Sequence, residues 1–294
     1  MFLQSIANGI IAGSIYAIVA LGFTVIYRTV RFFHFAHGVV YAAGAYLTYS
    51  LISSLPSVTG WMIGVMVGVG CASFIGLLID RFVYFPLRRQ KSSDLVFLIS
   101  SFGVFILLQN LIQLLYGAQV LTLRTGAVVE GHRFLGAIIT TNQIMIIVVA
   151  ALLALALWYV IRWTKIGKAM RAVSDDSIGA SAVGIYPEKI IAIAFALGSA
   201  LAGVAGILIS LETNLMPTMG FNAILKGVIA SIVGGIGSLP GAAVGGLFVG
   251  LAENVGVWFL PAQWKDVISF AILIIFLLLR PSGILGEKTE KNRM

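Results

Sequence analysis

Residues 142–161, NQIMIIVVAALLALALWYVI, carry no charged side chain. A helix of that length rises about 30 Å, the thickness of a bilayer's hydrocarbon core, so the stretch reads as a membrane-crossing helix. A barrel strand would instead alternate apolar and polar residues over about ten positions. Eight more apolar runs fall near residues 5–27, 35–54, 60–79, 94–116, 189–211, 221–236, 240–260 and 266–279. At 60% hydrophobic and 10% charged, a chain of 294 residues has too much nonpolar surface for a soluble core, and lipid is its solvent. The expected fold is all-α: a polytopic membrane helical bundle of about 8–9 transmembrane segments, forming one membrane domain over residues 1–294. The first run lacks a basic leader and a cleavage site and is expected to be retained. The seventh is short and meets the eighth at Gly234-Gly235-Ile236-Gly237-Ser238-Leu239-Pro240-Gly241, so the pair reads either as two crossings or as a broken, partly re-entrant element.

The cations set an orientation. Arg28 and Arg31, then Arg81, Arg88, Arg89 and Lys91, then Arg162, Lys165, Lys168, Arg171 and Lys189, then Arg280, Lys288, Lys291 and Arg293 occupy alternate connections, fifteen of the nineteen Lys and Arg. The opposite set holds Arg124, Arg133 and Lys265. Cytoplasmic loops retain cations, which predicts an outer N-terminus, a cytoplasmic C-terminus, an outer loop at 117–142, a cytoplasmic loop at 163–189 and a cytoplasmic tail at 286–294. Trp61, Trp258 and Trp264 near outer ends, with Trp158 and Trp163 near an inner one, suit interfacial belts. Because the net charge of +8 is spread between hydrophobic segments rather than gathered on one face, it does not indicate nucleic acid. The one cysteine, Cys71, cannot close an intrachain disulfide.

The inner loop is the most informative soluble piece. Thr164 is placed to cap a short basic helix with Lys165, Lys168 and Arg171. Ser174 is expected to cap a second, with Asp175 and Asp176 in its first turn, where acids complement the helix dipole. Gly184 then ends it, with Pro187 beyond. A structured connection of that length reads as a docking surface, and the plainer reading is an amphipathic loop on anionic lipid. The outer loop is expected to hold a short hairpin.

Within the apolar runs, Lys226 and Glu253 are the ionisable residues. They are expected to pair with each other or to line a pathway. Gln109 and Asn110 are further polar candidates for an interior path. His34 and His37 are three apart but lack a third ligand for a metal, so packing at a helix break beside a path is the better reading. Gly60, Gly64 and Gly68, and the pairs Gly241/Gly245 and Gly246/Gly250, have the spacing that lets helix backbones approach closely. A faint echo links the small-residue helices after His37-Gly38 and after Gly241. No phosphate-binding loop is present, since Gly167-Lys168 is followed by Ala169, and no catalytic arrangement is visible.

Several of these motifs together resemble one family. Phe35-Ala36-His37-Gly38, Ser101-Phe102-Gly103 with Leu108-Gln109-Asn110, Gly167-Lys168-Ala169-Met170-Arg171-Ala172 to Gly184-Ile185, Gly234 to Ala242, and Pro281-Ser282-Gly283-Ile284-Leu285-Gly286 are similar to the membrane permeases of high-affinity branched-chain amino acid ABC importers, of the LivH type. His34 departs from the family, which more often has Asn there. The resemblance implies the ABC importer permease fold in a bacterial inner membrane. It implies a second permease, identical or paralogous, two cytoplasmic ATPases that hold ATP and Mg, and a periplasmic or lipid-anchored binding protein. This chain would then be a transport subunit without its own cofactor or enzymatic activity. Gly167, Lys168, Arg171, Ser174, Asp175, Asp176 and Gly184 would form the ATPase-coupling loop, and His34, His37, Gly38, Gln109, Asn110, Lys226, Gly237, Ser238 and Glu253 would flank the path. The same fold could instead carry urea, short amides or other amino acids. An ion-coupled secondary transporter would need Lys226 and Glu253 for coupling.

Overall fold

A computed structural model describes residues 2–55, 57–123, 131–134 and 136–286, the side chain of Phe134 excepted. Residues 124–130 of the expected outer loop, with Arg124, and residues 287–294 of the tail, with Lys288, Lys291 and Arg293, lie outside the described residues. Each of the nine apolar runs is helical. They form α1 (Phe2–Val30), α2 (His37–Ser54), α3 (Val58–Ile79), followed after a π-turn by α4 (Phe85–Arg89), then α5 (Asp94–Tyr116) and, after a hairpin, α6 (Thr141–Trp163). The soluble helices α7 (Lys165–Asp175) and α8 (Ser177–Ala182) lead into α9 (Pro187–Glu212), α10 (Met219–Gly234), α11 (Leu239–Gly256) and α12 (Lys265–Leu279). Among the described residues, seven helical segments have the length and hydropathy to cross a membrane, and α10, at 16 residues, is a shorter apolar helix. The hairpin pairs β1 (Gly131–Phe134) with β2 (Ala137–Thr140), antiparallel, from Gly131↔Thr140 to Phe134↔Ala137.

The third run extends further than its hydropathy predicts. It continues as helix through Asp80–Tyr84 to Arg89, so Arg81, Arg88 and Arg89 sit on a helix rather than in a loop. Pro86 explains the irregularity: it has no N–H to give, and the chain widens ahead of it into a π-turn in which the Phe85 N–H reaches the Asp80 carbonyl.

The chain divides into two compact units. One contains residues 25–128 and 155–224 and is built around α2, whose residues from His37 to Tyr46 are buried without interruption. Gly60, Gly64, Gly68, Ala72 and Gly76 form the buried face of α3, and a Cβ at Gly68 or Gly76 would collide with Thr48 or Ser199. The expected close helix approach is present along that stripe. The other unit contains residues 1–24, 129–154 and 225–294. Gly9 and Gly13 of α1 lie against Leu251 and Leu247 of α11, and Ile229, Val233 and Val249 centre its core. At the α10–α11 turn, Gly237 takes φ +86°, a left-handed conformation in which a side chain would be strained, and Ser238 caps α11 by accepting from the Gly241 N–H at 3.2 Å. The segment after α12 folds back here. The Ile284 and Leu285 N–H groups donate to the Val233 and Gly234 carbonyls at 2.9 and 2.8 Å, satisfying acceptors left open where α10 ends. In this way two of the motifs that carry the resemblance meet.

Candidate functional site

Three polar constellations stand out in a chain this apolar. The first is the loop of α7 and α8. Thr164 caps α7 as expected, its hydroxyl accepting from the Gly167 N–H at 3.1 Å. The second cap differs from expectation: Ser174 and Asp175 belong to α7, and Asp176 caps α8 by accepting from the Ile178 N–H at 2.9 Å. A carboxylate between two helices fills that role because α7 runs through Asp175, two residues further than a cap at Ser174 would allow, leaving Asp176 as the first residue free to adopt an extended backbone. Gly184, at φ +84°, ends α8, and its N–H reaches the Ser181 carbonyl. Pro187 opens α9, where its missing N–H costs nothing. α7 is two-faced: Gly167, Met170 and Val173 are buried, whereas Lys165 and Lys168 are exposed. Arg171 turns inward, its guanidinium donating to the Ile161 carbonyl. Ile178, Val183 and Tyr186 are exposed at 83%, 76% and 69%. Large apolar side chains on a soluble element suit a protein partner.

The second lies among the helices of the unit containing α11. Lys226 Nζ is 2.5 Å from Glu253 Oε1, 2.9 Å from Ser269 Oγ and 2.8 Å from Asp266 Oδ1. Glu253 Oε2 accepts from the Tyr16 hydroxyl at 2.9 Å, and the Ser269 hydroxyl also bonds Glu253. Lys226 and Glu253 thus pair with each other, as one of the two expectations had it. Sequence reading missed Asp266, Ser269 and Tyr16, because hydropathy sees neither a serine in a greasy helix nor an acid at its first turn.

The third surrounds His34, in the connection between α1 and α2. Its Nδ1 lies 2.8 Å from the Tyr84 hydroxyl, and its ring packs edge-on to those of His37, Tyr84 and Phe195. His34 and His37 are both fully buried. Burial, and then the charge of His37, holds the His34 imidazole well below its ordinary value, so it is neutral near pH 7. The Ala36 N–H donates to Ser101 Oγ at 3.1 Å, tying the start of α2 to α5. Gly38 lies within the first turn of α2 rather than at the break, which spans Arg31 to Ala36. Gln109 is half-buried, and Asn110, on the exposed face of α5, donates to its own Ile106 carbonyl. Among the described residues there is no group of three His, Cys, Asp or Glu that could hold a metal ion.

Helices of bilayer length with charged groups sealed between them define a multi-pass membrane protein. Residues 5–277 match the family model described as branched-chain amino acid transport system / permease component, and the chain belongs to that family. It is 40% identical, over 97% of its length and 96% of the relative's, to the high-affinity branched-chain amino acid transport system permease protein LivH of Escherichia coli strain K12. It is 38% identical, with the same coverage, to the corresponding permease protein BraD of Pseudomonas aeruginosa. A probable branched-chain amino acid transport permease protein LivH of Methanocaldococcus jannaschii is 27% identical over 97% of this chain and 92% of the relative.

Proposed function

We propose that this chain is the membrane-spanning permease subunit of an ATP-driven importer for leucine, isoleucine and valine, working in a bacterial inner membrane. The observation that carries the reading is full-length similarity to LivH and BraD permeases joined to the α7–α8 loop. That loop presents exposed Lys165 and Lys168 beside Ile178, Val183 and Tyr186, the mixed surface expected of an element seated in a groove of another protein. The chain has no phosphate loop, so hydrolysis belongs to two separate cytoplasmic ATPases holding ATP and Mg. A second permease and an external binding protein complete the assembly, and nucleic acid has no part in it. ATP-driven closure of the ATPases displaces the loop and shifts the helices between inward-open and outward-open states.

A branched-chain amino acid joins a zwitterionic head to an apolar side chain. Within the unit built around α2, the helix break beside His34, His37 and Gly38 and the amides of Gln109 and Asn110 offer mild polarity to such a solute, and within the other unit the α10–α11 turn at Gly237 and Ser238 does the same. Lys226 and Glu253 neutralise each other and serve the framework rather than ion coupling. In proteoliposomes holding the full assembly, labelled leucine uptake should require ATP and an intact binding protein and should compete with valine but not urea. Competition by urea alone would favour a same-fold importer for amides, and uptake on an ion gradient without ATP would overturn the reading.

A further inference from the structure

Among the described residues, two side-chain links join the segment from Thr164 to Lys189 to parts of the chain remote in sequence. One is the Arg31 guanidinium on the Ser174 carbonyl at 2.9 Å. The other is an ionic triad: Arg88 Nη2 donates to Glu188 Oε2 at 2.8 Å, and Arg88 Nη1 donates to Asp80 Oδ1 at 2.7 Å. Glu188 stands in the first turn of α9, directly after the α7–α8 loop. Asp80 opens the π-turn, and Tyr84, which closes it, is the residue bonded to His34. One guanidinium therefore spans the gap between the end of the soluble loop and the irregular turn beneath the His34 cluster.

The two arms differ in character. The Asp80 and Arg88 side chains are only 6% and 15% exposed, while that of Glu188 is 47% exposed, so the inner arm is sealed and the outer arm, at the protein surface, adds little to stability. A planar fork that engages two carboxylates at once is a stiff connector, which an ammonium is not. Single π-turns inside α-helices, moreover, are frequent at functional sites.

We propose that Arg88 is a positioning residue through which movement of the α7–α8 loop, entering at Glu188, reaches the π-turn and hence Tyr84 and His34. This rests on the reading of that loop as the ATPase-docking element. The test uses the complete importer in proteoliposomes, with ATP hydrolysis and leucine uptake measured on the same sample. Glu188→Gln should keep binding-protein-stimulated hydrolysis within about twofold of wild type while leucine imported per ATP falls about tenfold, a loss in the usual range for coupling between sites. Glu188→Asp, which restores the carboxylate, should recover most of the ratio. An unchanged ratio in Glu188→Gln overturns the proposal, and so does a parallel loss of hydrolysis and uptake with the ATPase no longer co-purifying, which would make Glu188 a docking contact. If the wild-type assembly imports leucine without hydrolysing ATP, the functional reading falls first and takes this inference with it.

Discussion

Lys226 and Glu253 are 8% and 1% exposed, and each satisfies the other along with Ser269, Asp266 and Tyr16. Removing one member of such a pair leaves an uncompensated buried charge, a loss of about 3–5 kcal/mol, whereas removing both leaves none. Lys226→Met is therefore expected to lower the detergent melting temperature sharply, and Lys226→Met with Glu253→Gln to recover much of it. A single variant as stable as the double would show that the site is wetter than it looks. His34 gives a second prediction. Its neutral form is the one the fold accepts, so its contribution is fully present above the unfolded value, about 6.5, and is lost as the pH falls toward the lowered folded value. Melting temperature should drop between pH 7.5 and 5, and His34→Asn, which can still accept from the Tyr84 hydroxyl, should flatten that drop. An equal drop in both proteins would assign it elsewhere. The ionisable pair was legible because charges in apolar runs are rare. The partners of His34 were not, because an aromatic cluster assembled from α1–α2, the π-turn and α9 leaves no local pattern.

At the scale of elements, hydropathy located the nine apolar helices among the described residues, since length and composition decide membrane helices before packing does. It placed their ends less well. The third helix runs ten residues past its apolar stretch to Arg89, because the Asp80–Arg88 pair lets a charged segment remain helical, a long-range compensation invisible to a window average. The cap of α8 was misread for a subtler reason: Ser174, Asp175 and Asp176 are all good caps, and only the length of α7 chooses among them. The choice is testable. Asp176→Ala should cost α8 about 1 kcal/mol and increase proteolytic nicking between residues 176 and 184, while Ser174→Ala should leave both unchanged. The opposite ranking would restore the serine. Close packing makes a further distinction. A Cβ at Gly206 would overlap the Tyr41 backbone, whereas one at Gly103 meets nothing within 4 Å, so Gly206→Ala should impair folding and Gly103→Ala should not.

For the whole molecule, the open physical question is which way it faces, and the helices make that question sharp. If the nine apolar helices all cross, the termini lie on opposite sides, and the connections alternate between one rich in Lys and Arg and one poor in them. The cationic set includes the connection carrying Lys165 and Lys168, and the poor set includes the hairpin with His132. Retention of cations on the cytoplasmic side would then direct the α7–α8 loop inward and the hairpin outward, the arrangement that the proposed docking of an ATPase on the first requires. Each loop carries an exposed position for a probe, Lys168 on one and His132 on the other. In a Cys71→Ser background, Lys168→Cys should react with a membrane-impermeant maleimide in inside-out vesicles and resist it in spheroplasts, and His132→Cys should do the reverse. Labelling of both from one side would mean an even number of crossings between them, which would make the short α10 region irrelevant to the error and place it within α6. Labelling of Lys168→Cys from outside alone would overturn the proposal that the α7–α8 loop is a cytosolic handle for an ATPase.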